Sequence, residues 1–135
     1  MKQLLLLFLL SFIVSGCEPS YRIYVCNNTS SDVYIKTHPE IESLYSTSNS
    51  YIDAIRRYKV GQAGKYGVYR LGSNDTLMLD GNIGSPTIKE IPFDYISLIS
   101  NNDTVILDNK VEIFKQIKGT VKKGRSGNYY INVGK

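Results

Sequence analysis

Few residues of this chain have types and spacings that support catalysis. His38 is the only histidine among 135 residues, and it directly precedes Pro39. A Ser-His-Asp triad would need His38 as its base, but no Gly-x-Ser-x-Gly turn is present to display a serine. A zinc site rich in histidine is excluded for the same reason. The sequence therefore predicts no catalytic residue, no metal site and no cofactor.

Two other patterns resemble ligand-binding motifs only loosely. Residues 61–65 contain two glycines and a lysine, but their spacing is too short for a phosphate loop and no Ser or Thr follows the lysine. Four aspartates lie next to apolar stretches and could be taken for calcium ligands: Asp75, Asp80, Asp103 and Asp108. The segments around them lack the alternating oxygen donors of a calcium-binding loop. Turn chemistry explains these aspartates. A pair of carboxylates that converges in space for glycoside cleavage stays open, because sequence spacing does not decide it.

Tyrosine is the one residue type in excess, with eleven tyrosines and no tryptophan. A tyrosine on a strand offers a rigid ring and a hydroxyl to a sugar or a protein. Four tyrosines alternate with the expected core positions and predict a binding face: Tyr24, Tyr34, Tyr69 and Tyr130. The alternative is that the tyrosines fill the core. We therefore expect a non-enzymatic domain that binds a protein or a glycan, with a small hydrolase or inhibitor as the alternative.

Alternation with a period of two indicates the strands that must position these side chains. Residues 21–26 and 32–37 alternate, and the polar segment 27–31 between them predicts an N-terminal hairpin. The expected inward positions of the first, second and last strands are apolar: Tyr21, Ile23, Val25, Val33, Ile35, Tyr129, Ile131 and Val133. Such short strands predict an all-β, antiparallel β-sandwich, with a small barrel as the alternative.

A near-repeat adds further strands. Residues 74–81 recur as residues 102–109, and each copy follows an apolar alternating stretch, at 67–71 and 95–100. Because Asn-Asp favours a turn, each copy predicts a strand-turn-strand unit, that is, a hairpin. A further strand is expected at residues 111–117.

One short helix is expected near residues 51–58. Ser50 is a suitable N-cap, and Ile52, Ile55 and Tyr58 would then lie roughly on one face. A strand or an irregular crossover is the competing interpretation, because Ile and Tyr also suit strands.

Positive charge is concentrated near the C terminus of a chain whose net charge is +4. Five basic residues lie close together there: Lys115, Lys118, Lys122, Lys123 and Arg125. We interpret the segment between Gly119 and Gly127 as a solvated hairpin loop. Attraction to anionic lipid or acidic glycan is the alternative. No nucleic-acid recognition motif accompanies the charge, so no nucleic-acid partner is expected.

The N terminus carries an export signal. Lys2 precedes an apolar run at residues 4–14, which as a helix would reach only about 16 Å, roughly half of a bilayer core. A signal peptide therefore explains the run better than a transmembrane helix. The last residue of the run and the three residues after it are Val14-Ser15-Gly16-Cys17.

This sequence resembles the lipobox of bacterial lipoproteins. The resemblance implies cleavage between Gly16 and Cys17 and attachment of a diacylglycerol to the Cys17 thiol. Residues 1–16 would then be a removed signal peptide, residues 17–20 a lipidated tether, and residues 21–135 a single β-rich domain. The alternative is an ordinary secreted protein in which Cys17 is incidental.

The lipobox has consequences for partners and location. With Cys17 modified, Cys26 is the only remaining cysteine, so we expect no intrachain disulfide and interpret Cys26 as a small buried side chain. The protein is expected in the cell envelope, held to a membrane by lipid, and in a Gram-negative cell to the outer membrane. The sequence does not decide which leaflet of the membrane holds the anchor, because Glu18 is the only acidic residue directly after Cys17.

The short spacer, the tyrosine-rich first strands and the Asn-Asp-Thr turns resemble small envelope lipoproteins of Bacteroidota. Proteins of that group can be O-glycosylated where Asp-Thr precedes an aliphatic residue. The resemblance implies glycan at Thr76 and Thr104, which match that pattern.

Replacing the lipidated residue tests the anchor. We expect Cys17→Ala to lose the lipid mass and to leave the membrane fraction, because two or three acyl chains hold a protein firmly whereas a bare domain has no such attachment. Mass spectrometry and membrane fractionation measure both effects, with Cys26→Ala as the control that keeps the lipid. A wild-type chain that carries no lipid contradicts the lipobox.

Overall fold

The computed structural model describes residues 20–45, 50–118 and 127–134. The expected signal peptide, the cleavage site at Gly16 and Cys17, and most of the basic segment lie outside these residues. The described elements are β1 Ser20–Asn27, β2 Val33–His38, a 3-10 helix Ile41–Leu44, α1 Ser50–Tyr58, β3 Lys59–Ala63, β4 Tyr66–Leu71, β5 Thr76–Ile83, β6 Tyr95–Ile99, β7 Thr104–Leu107, α2 Lys110–Lys118 and β8 Gly127–Val133.

The strands form two sheets that confirm the sandwich-like, all-β class. The three-stranded sheet has the order β5-β1-β8, and the five-stranded sheet has the order β3-β4-β2-β6-β7. In the described part of the chain neither sheet closes into a barrel. All pairs are antiparallel except β1 with β8, which run parallel. The predicted antiparallel sandwich is confirmed, with this one parallel pair as its exception.

The core lies between the sheets and follows the predicted alternation. The eight expected inward residues of β1, β2 and β8 are all buried, together with Leu71, Leu77, Leu79, Ile96 and Leu98 from the neighbouring strands. Burying one such side chain stabilises a fold by about 1.5–3 kcal/mol. The period-two pattern therefore predicts correctly which face of each of these three strands is inside.

The predicted N-terminal hairpin is wrong, because β1 and β2 belong to different sheets. The polar segment after β1 carries the chain across the sandwich, and buried Asn27 holds the crossing. Its Nδ2 donates to the carbonyl oxygens of Leu71 at 3.1 Å, Gly72 at 2.9 Å and Ser31 at 2.7 Å. Its Oδ1 accepts from the amide of Thr29 at 2.9 Å and from the Thr29 hydroxyl at 2.7 Å. A turn-forming residue type thus makes a corner between sheets.

The near-repeat gives one hairpin and one crossing. The second copy is confirmed as a hairpin, since β6 pairs with β7 and the amide of Ser100 donates to the carbonyl of Asp103 at 2.9 Å. The first copy is not a hairpin, because β4 and β5 lie in different sheets. This second crossing meets the first, since the amide of Asn27 donates to the carbonyl of Asp75 at 2.9 Å.

One helix is confirmed and one was missed. The helix expected near 51–58 is α1, with Ile52 and Ile55 buried. The strand expected at 111–117 is wrong, because this segment is α2. Asn109 caps it by accepting from the amide of Glu112 at 2.9 Å, and the Glu112 carboxylate accepts from the amide of Asp108 at 3.3 Å. Its inward residues follow helical spacing, as Ile113 and Ile117 are both buried.

Removing the Asn27 amide should destabilise the whole domain. In Asn27→Ala the buried carbonyl of Leu71 loses its donor, and each buried group left unpaired costs roughly 1–3 kcal/mol. We expect a loss of more than about 2 kcal/mol in urea unfolding. Asn28→Ala is the control, because the Asn28 side chain donates to Asn132 in an exposed contact of 3.3 Å and its loss should cost less than about 0.5 kcal/mol. Equal losses in both variants contradict the role of the corner.

Candidate functional site

The outward side of the five-stranded sheet is the candidate site. In β2, Val33, Ile35 and Thr37 face the core, so the alternate residues Tyr34 and His38 face away from it. Strand register extends this surface over β4, β6 and β7. We define the outer face as three rows that cross the sheet: Arg70, Tyr34, Ile99 and Thr104; Val68, Lys36, Ser97 and Ile106; and Tyr66, His38 and Tyr95.

The third row of the outer face is aromatic. The rings of Tyr66 and Tyr95 come from the strands on either side of β2, and their centroids are 4.7 Å apart with an interplanar angle of 46°. The His38 ring lies 6.1 Å from the Tyr66 ring at 76°. The ammonium of Lys65 stands 5.5 Å from the centre of the Tyr66 ring. Both tyrosines are half-buried, so packing holds their rings while part of each stays open to a partner.

The other two rows add exposed apolar surface. Tyr34 is 42% exposed and Ile106 is 55% exposed, while Ile99 and Val68 are half-buried beside them. Single exposed apolar residues are ordinary, but a continuous group on one face is typical of an interaction surface. Among the described residues, α1 and α2 bury their apolar sides in the core and do not cover this face.

Charged pairs border the outer face. The Nη2 atom of Arg70 lies 2.6 Å from the Asp32 carboxylate, and Nδ1 of His38 lies 2.7 Å from the Asp94 carboxylate. Lys36 is placed in the middle row by its register with Val68 and Ser97. Polar groups therefore lie at the border of the outer face and also, with Lys36 and Ser97, in its middle row.

The four tyrosines expected to form a binding face do not share one, and that prediction is wrong. Tyr34 lies on the outer face, whereas Tyr24 and Tyr130 stack on the outward side of the other sheet, with centroids 5.5 Å apart at 21°. Tyr69 is fully buried. Gly67 makes room for it, because a Cβ there would lie 2.7 Å from the Tyr69 hydroxyl. Which residues of β4 face the core therefore depends on the fit of the Tyr69 ring against Gly67.

The buried Tyr69 hydroxyl belongs to a structural ionic network. It accepts from the amide of Ile41 at 2.9 Å and donates to the Glu42 carboxylate. The Lys59 ammonium lies 2.6 Å from Glu40 and 3.2 Å from Glu42. Burial raises the pKa of Glu42, but hydrogen bonds from Tyr69 and Lys59 outweigh this effect, and the pKa lies below its usual value. The network joins the 3-10 helix to β3 and β4.

The remaining residues singled out by sequence have structural positions. Residues 61–65 run along β3 into its turn to β4, where Gly64 has φ +63. In the turn before β5, Asp75 Oδ1 accepts from the amide of Thr76 at 2.8 Å. Cys26 is a half-buried thiol, 3.5 Å from the Thr76 hydroxyl. In the described part of the chain no group of three His, Cys, Asp or Glu side chains could hold a metal ion.

Both threonines of the glycosylation pattern are accessible. Thr76 begins β5 and Thr104 begins β7, and both are exposed. Their modification stays a prediction.

Comparison with known proteins adds no relative. No protein-family model, no curated protein and no solved structure matches this chain. In the described segments no helix has the length and apolar character needed to cross a bilayer. The case for a function therefore depends on the geometry of the chain itself.

Neutralising Glu42 should lower stability in a pH-dependent way. The folded pKa of Glu42 lies below its usual value, so its contribution is complete above the unfolded pKa of about 4.3 and is lost as the pH falls through the folded value. At pH 7 we expect Glu42→Gln to cost about 1.5–3 kcal/mol, the usual value of hydrogen bonds to a charged group. Chemical unfolding at pH 7 and pH 3 measures the difference, which should shrink at pH 3.

Asp53→Asn is the control for this experiment. Asp53 pairs with Arg56 at 3.2 Å on the exposed side of α1 and should contribute less than about 0.5 kcal/mol at either pH. A Glu42→Gln effect that is as large at pH 3 as at pH 7 contradicts the ionic network.

Proposed function

We propose that this chain is a lipid-anchored protein of the cell envelope whose single domain binds a partner protein through the outer face. The observation that carries the proposal is that exposed apolar side chains share one sheet face with a row of aromatic rings. Tyr34 and Ile106 are exposed on the same sheet face as the aromatic row of Tyr66, His38 and Tyr95. Among the described residues, the buried side chains of α1 and α2 pack in the core instead of on this face.

The chemistry of the outer face favours a protein over a glycan. Sugars stack on the flat sides of aromatic rings, but the rings of Tyr66 and Tyr95 are tilted against each other by 46°. The other two rows carry aliphatic groups, Val68, Ile99 and Ile106, which suit apolar side chains of a protein partner. Lys36 and Arg70 favour a partner with acidic residues at the matching positions.

The anchor and the domain support each other in this proposal. The first strand begins at Ser20, three residues after the lipobox cysteine. Three residues span at most about 11 Å, so lipid on Cys17 would hold the domain close to a membrane surface. The partner would then be another component of the envelope. In a Gram-negative cell, the proposed location is the outer membrane.

Binding explains the arrangement better than catalysis. His38 is paired with Asp94, and the ring found beside it is that of Tyr66; among the described residues no serine or cysteine nucleophile is hydrogen-bonded to it. The ionic network of Glu40, Glu42 and Lys59 holds structural elements together. Neither group presents a nucleophile to solvent.

A single substitution on the outer face should abolish partner capture. We expect Ile106→Asp to reduce recovery of a stoichiometric partner from the native envelope at least tenfold, about 1.4 kcal/mol, because it replaces the most exposed apolar side chain of the outer face by a charge. Affinity isolation of the lipidated full chain after mild crosslinking measures the effect.

Ile83→Asp is a matched control for this substitution. Ile83 is 58% exposed against 55% for Ile106, but it lies on β5 of the other sheet. Equal recovery with both variants contradicts the proposed surface. If the chain instead captures envelope glycan without protein, and only Ile106→Asp loses it, the partner of the outer face is a glycan.

A further inference from the structure

The edge of the five-stranded sheet at β7 is available for pairing with another strand. β7 is the last strand in the order of its sheet, and in the described part of the chain it pairs only with β6. The edges at β3 and β5 are each interrupted by a shift of register, a feature that protects edge strands from pairing. β7 keeps a regular register with β6 over all four of its residues and contains no charged residue and no proline. The edge of β7 therefore lacks the devices that protect strand edges.

The hydrogen bonds of the β6–β7 hairpin show which backbone groups this edge presents. The amide of Ser100 donates to the carbonyl of Asp103 at 2.9 Å, which makes these two residues a hydrogen-bonded pair. Hydrogen-bonded and non-hydrogen-bonded pairs alternate along an antiparallel ladder, so Val105 bonds to β6 whereas Thr104 and Ile106 do not. The N–H and C=O groups of Thr104 and Ile106 therefore point away from the sheet, toward the position of a further strand.

These backbone groups are complementary to a second copy of the same strand. Antiparallel pairing about a two-fold axis at Val105 places Thr104 opposite Ile106 of the second copy, and Ile106 opposite its Thr104. Each of these pairs can then exchange both backbone hydrogen bonds, because the free groups of the two residues face each other. A two-fold contact of one surface patch with itself is the commonest arrangement in protein dimers.

The charges beside β7 also permit this pairing. Exposed aspartates stand on either side of the strand, Asp103 before it and Asp108 after it. In the two-fold register Asp103 lies opposite Leu107 of the second copy. Asp108 lies opposite its Asn102, so neither carboxylate directly faces a like charge, which would disfavour the pairing. Val111, 44% exposed in the first turn of α2, adds apolar surface close to the same edge.

We propose that β7 pairs with β7 of a second copy of this chain and so joins two domains into a dimer with one continuous sheet. The second copy lies in the plane of the sheet, so both outer faces stay uncovered and become neighbours. The proposal depends neither on the lipid anchor nor on a partner of the outer face. The competing occupant, a strand from a different protein, would leave the purified chain monomeric.

Disulfide crosslinking tests the register. In a non-hydrogen-bonded pair the Cα atoms are about 4.5 Å apart, and a disulfide joins Cα atoms about 4.4–6.8 Å apart, so Val105→Cys places two cysteines at bonding distance across the axis. After mild oxidation in non-ionic detergent, we expect at least fivefold more covalent dimer from Cys26→Ala/Val105→Cys than from Cys26→Ala alone. The full chain is made without glycosylation, because a glycan on Thr104 would stand beside this edge.

Ile106→Cys, also combined with Cys26→Ala, is the matched control. Ile106 is 55% exposed whereas Val105 is half-buried, so random collision would crosslink Ile106→Cys more readily. In the proposed dimer the two Ile106 residues are diagonal neighbours about 7–8 Å apart, too far for a disulfide. We therefore expect at least fivefold less dimer from Ile106→Cys than from Val105→Cys. An equal or greater yield from Ile106→Cys, or no dimer from Val105→Cys, overturns the proposal.

A proline at the edge separates pairing from folding. Thr104→Pro removes an N–H that β6 does not use, and the first residue of an edge strand tolerates proline. Sedimentation equilibrium in density-matched detergent should show a wild-type dimer and at least tenfold weaker association of Thr104→Pro, while urea unfolding of the monomer stays unchanged. Undiminished association of a folded Thr104→Pro chain overturns the proposal. So does a wild-type chain that sediments as a monomer at every concentration up to about 1 mM. The two cysteine variants decide the question if Thr104→Pro does not fold.

Discussion

The buried side chain of Asn27 determines how the two sheets are joined. Two of the four crossings between the sheets, from β1 to β2 and from β4 to β5, pass this one residue, and its amide and backbone together bond to both. A hydrogen-bonded amide in a core is stable only when all its polar atoms are paired, so the ends of these strands have little freedom to move independently.

Because the sheets are held in this way, the domain presents two separate surfaces of different chemistry. The outer face belongs to the five-stranded sheet and combines aliphatic groups with the aromatic row. A cavity at the bulged edge of the three-stranded sheet is lined by Tyr21, Arg22, Tyr45 and Asn82 and shares no residue with the outer face.

Sequence alone predicts the strands and their inward faces better than it predicts their neighbours. Alternation depends on each strand by itself, and Tyr21, Ile23 and Val25 show it clearly. Pairing depends on what a turn does in three dimensions, and a polar turn looks the same in a hairpin as in a crossing. Tyr69 was misplaced because its burial depends on the space over Gly67, and α2 was missed because its apolar spacing suited a strand until the Asn109 cap was considered.

The parallel pairing of β1 with β8 has a consequence for biogenesis. The first strand of the domain occupies the centre of its sheet, with Val25 beside Ile131 and Asn27 beside Val133. That sheet is therefore incomplete until the last residues of the chain have been synthesised and delivered. Pairing of strands so distant in sequence forms late, because a long loop must be closed first. A chain exported as proposed, from its N terminus, would therefore stay incompletely folded and suitable for passage until β8 has crossed the membrane.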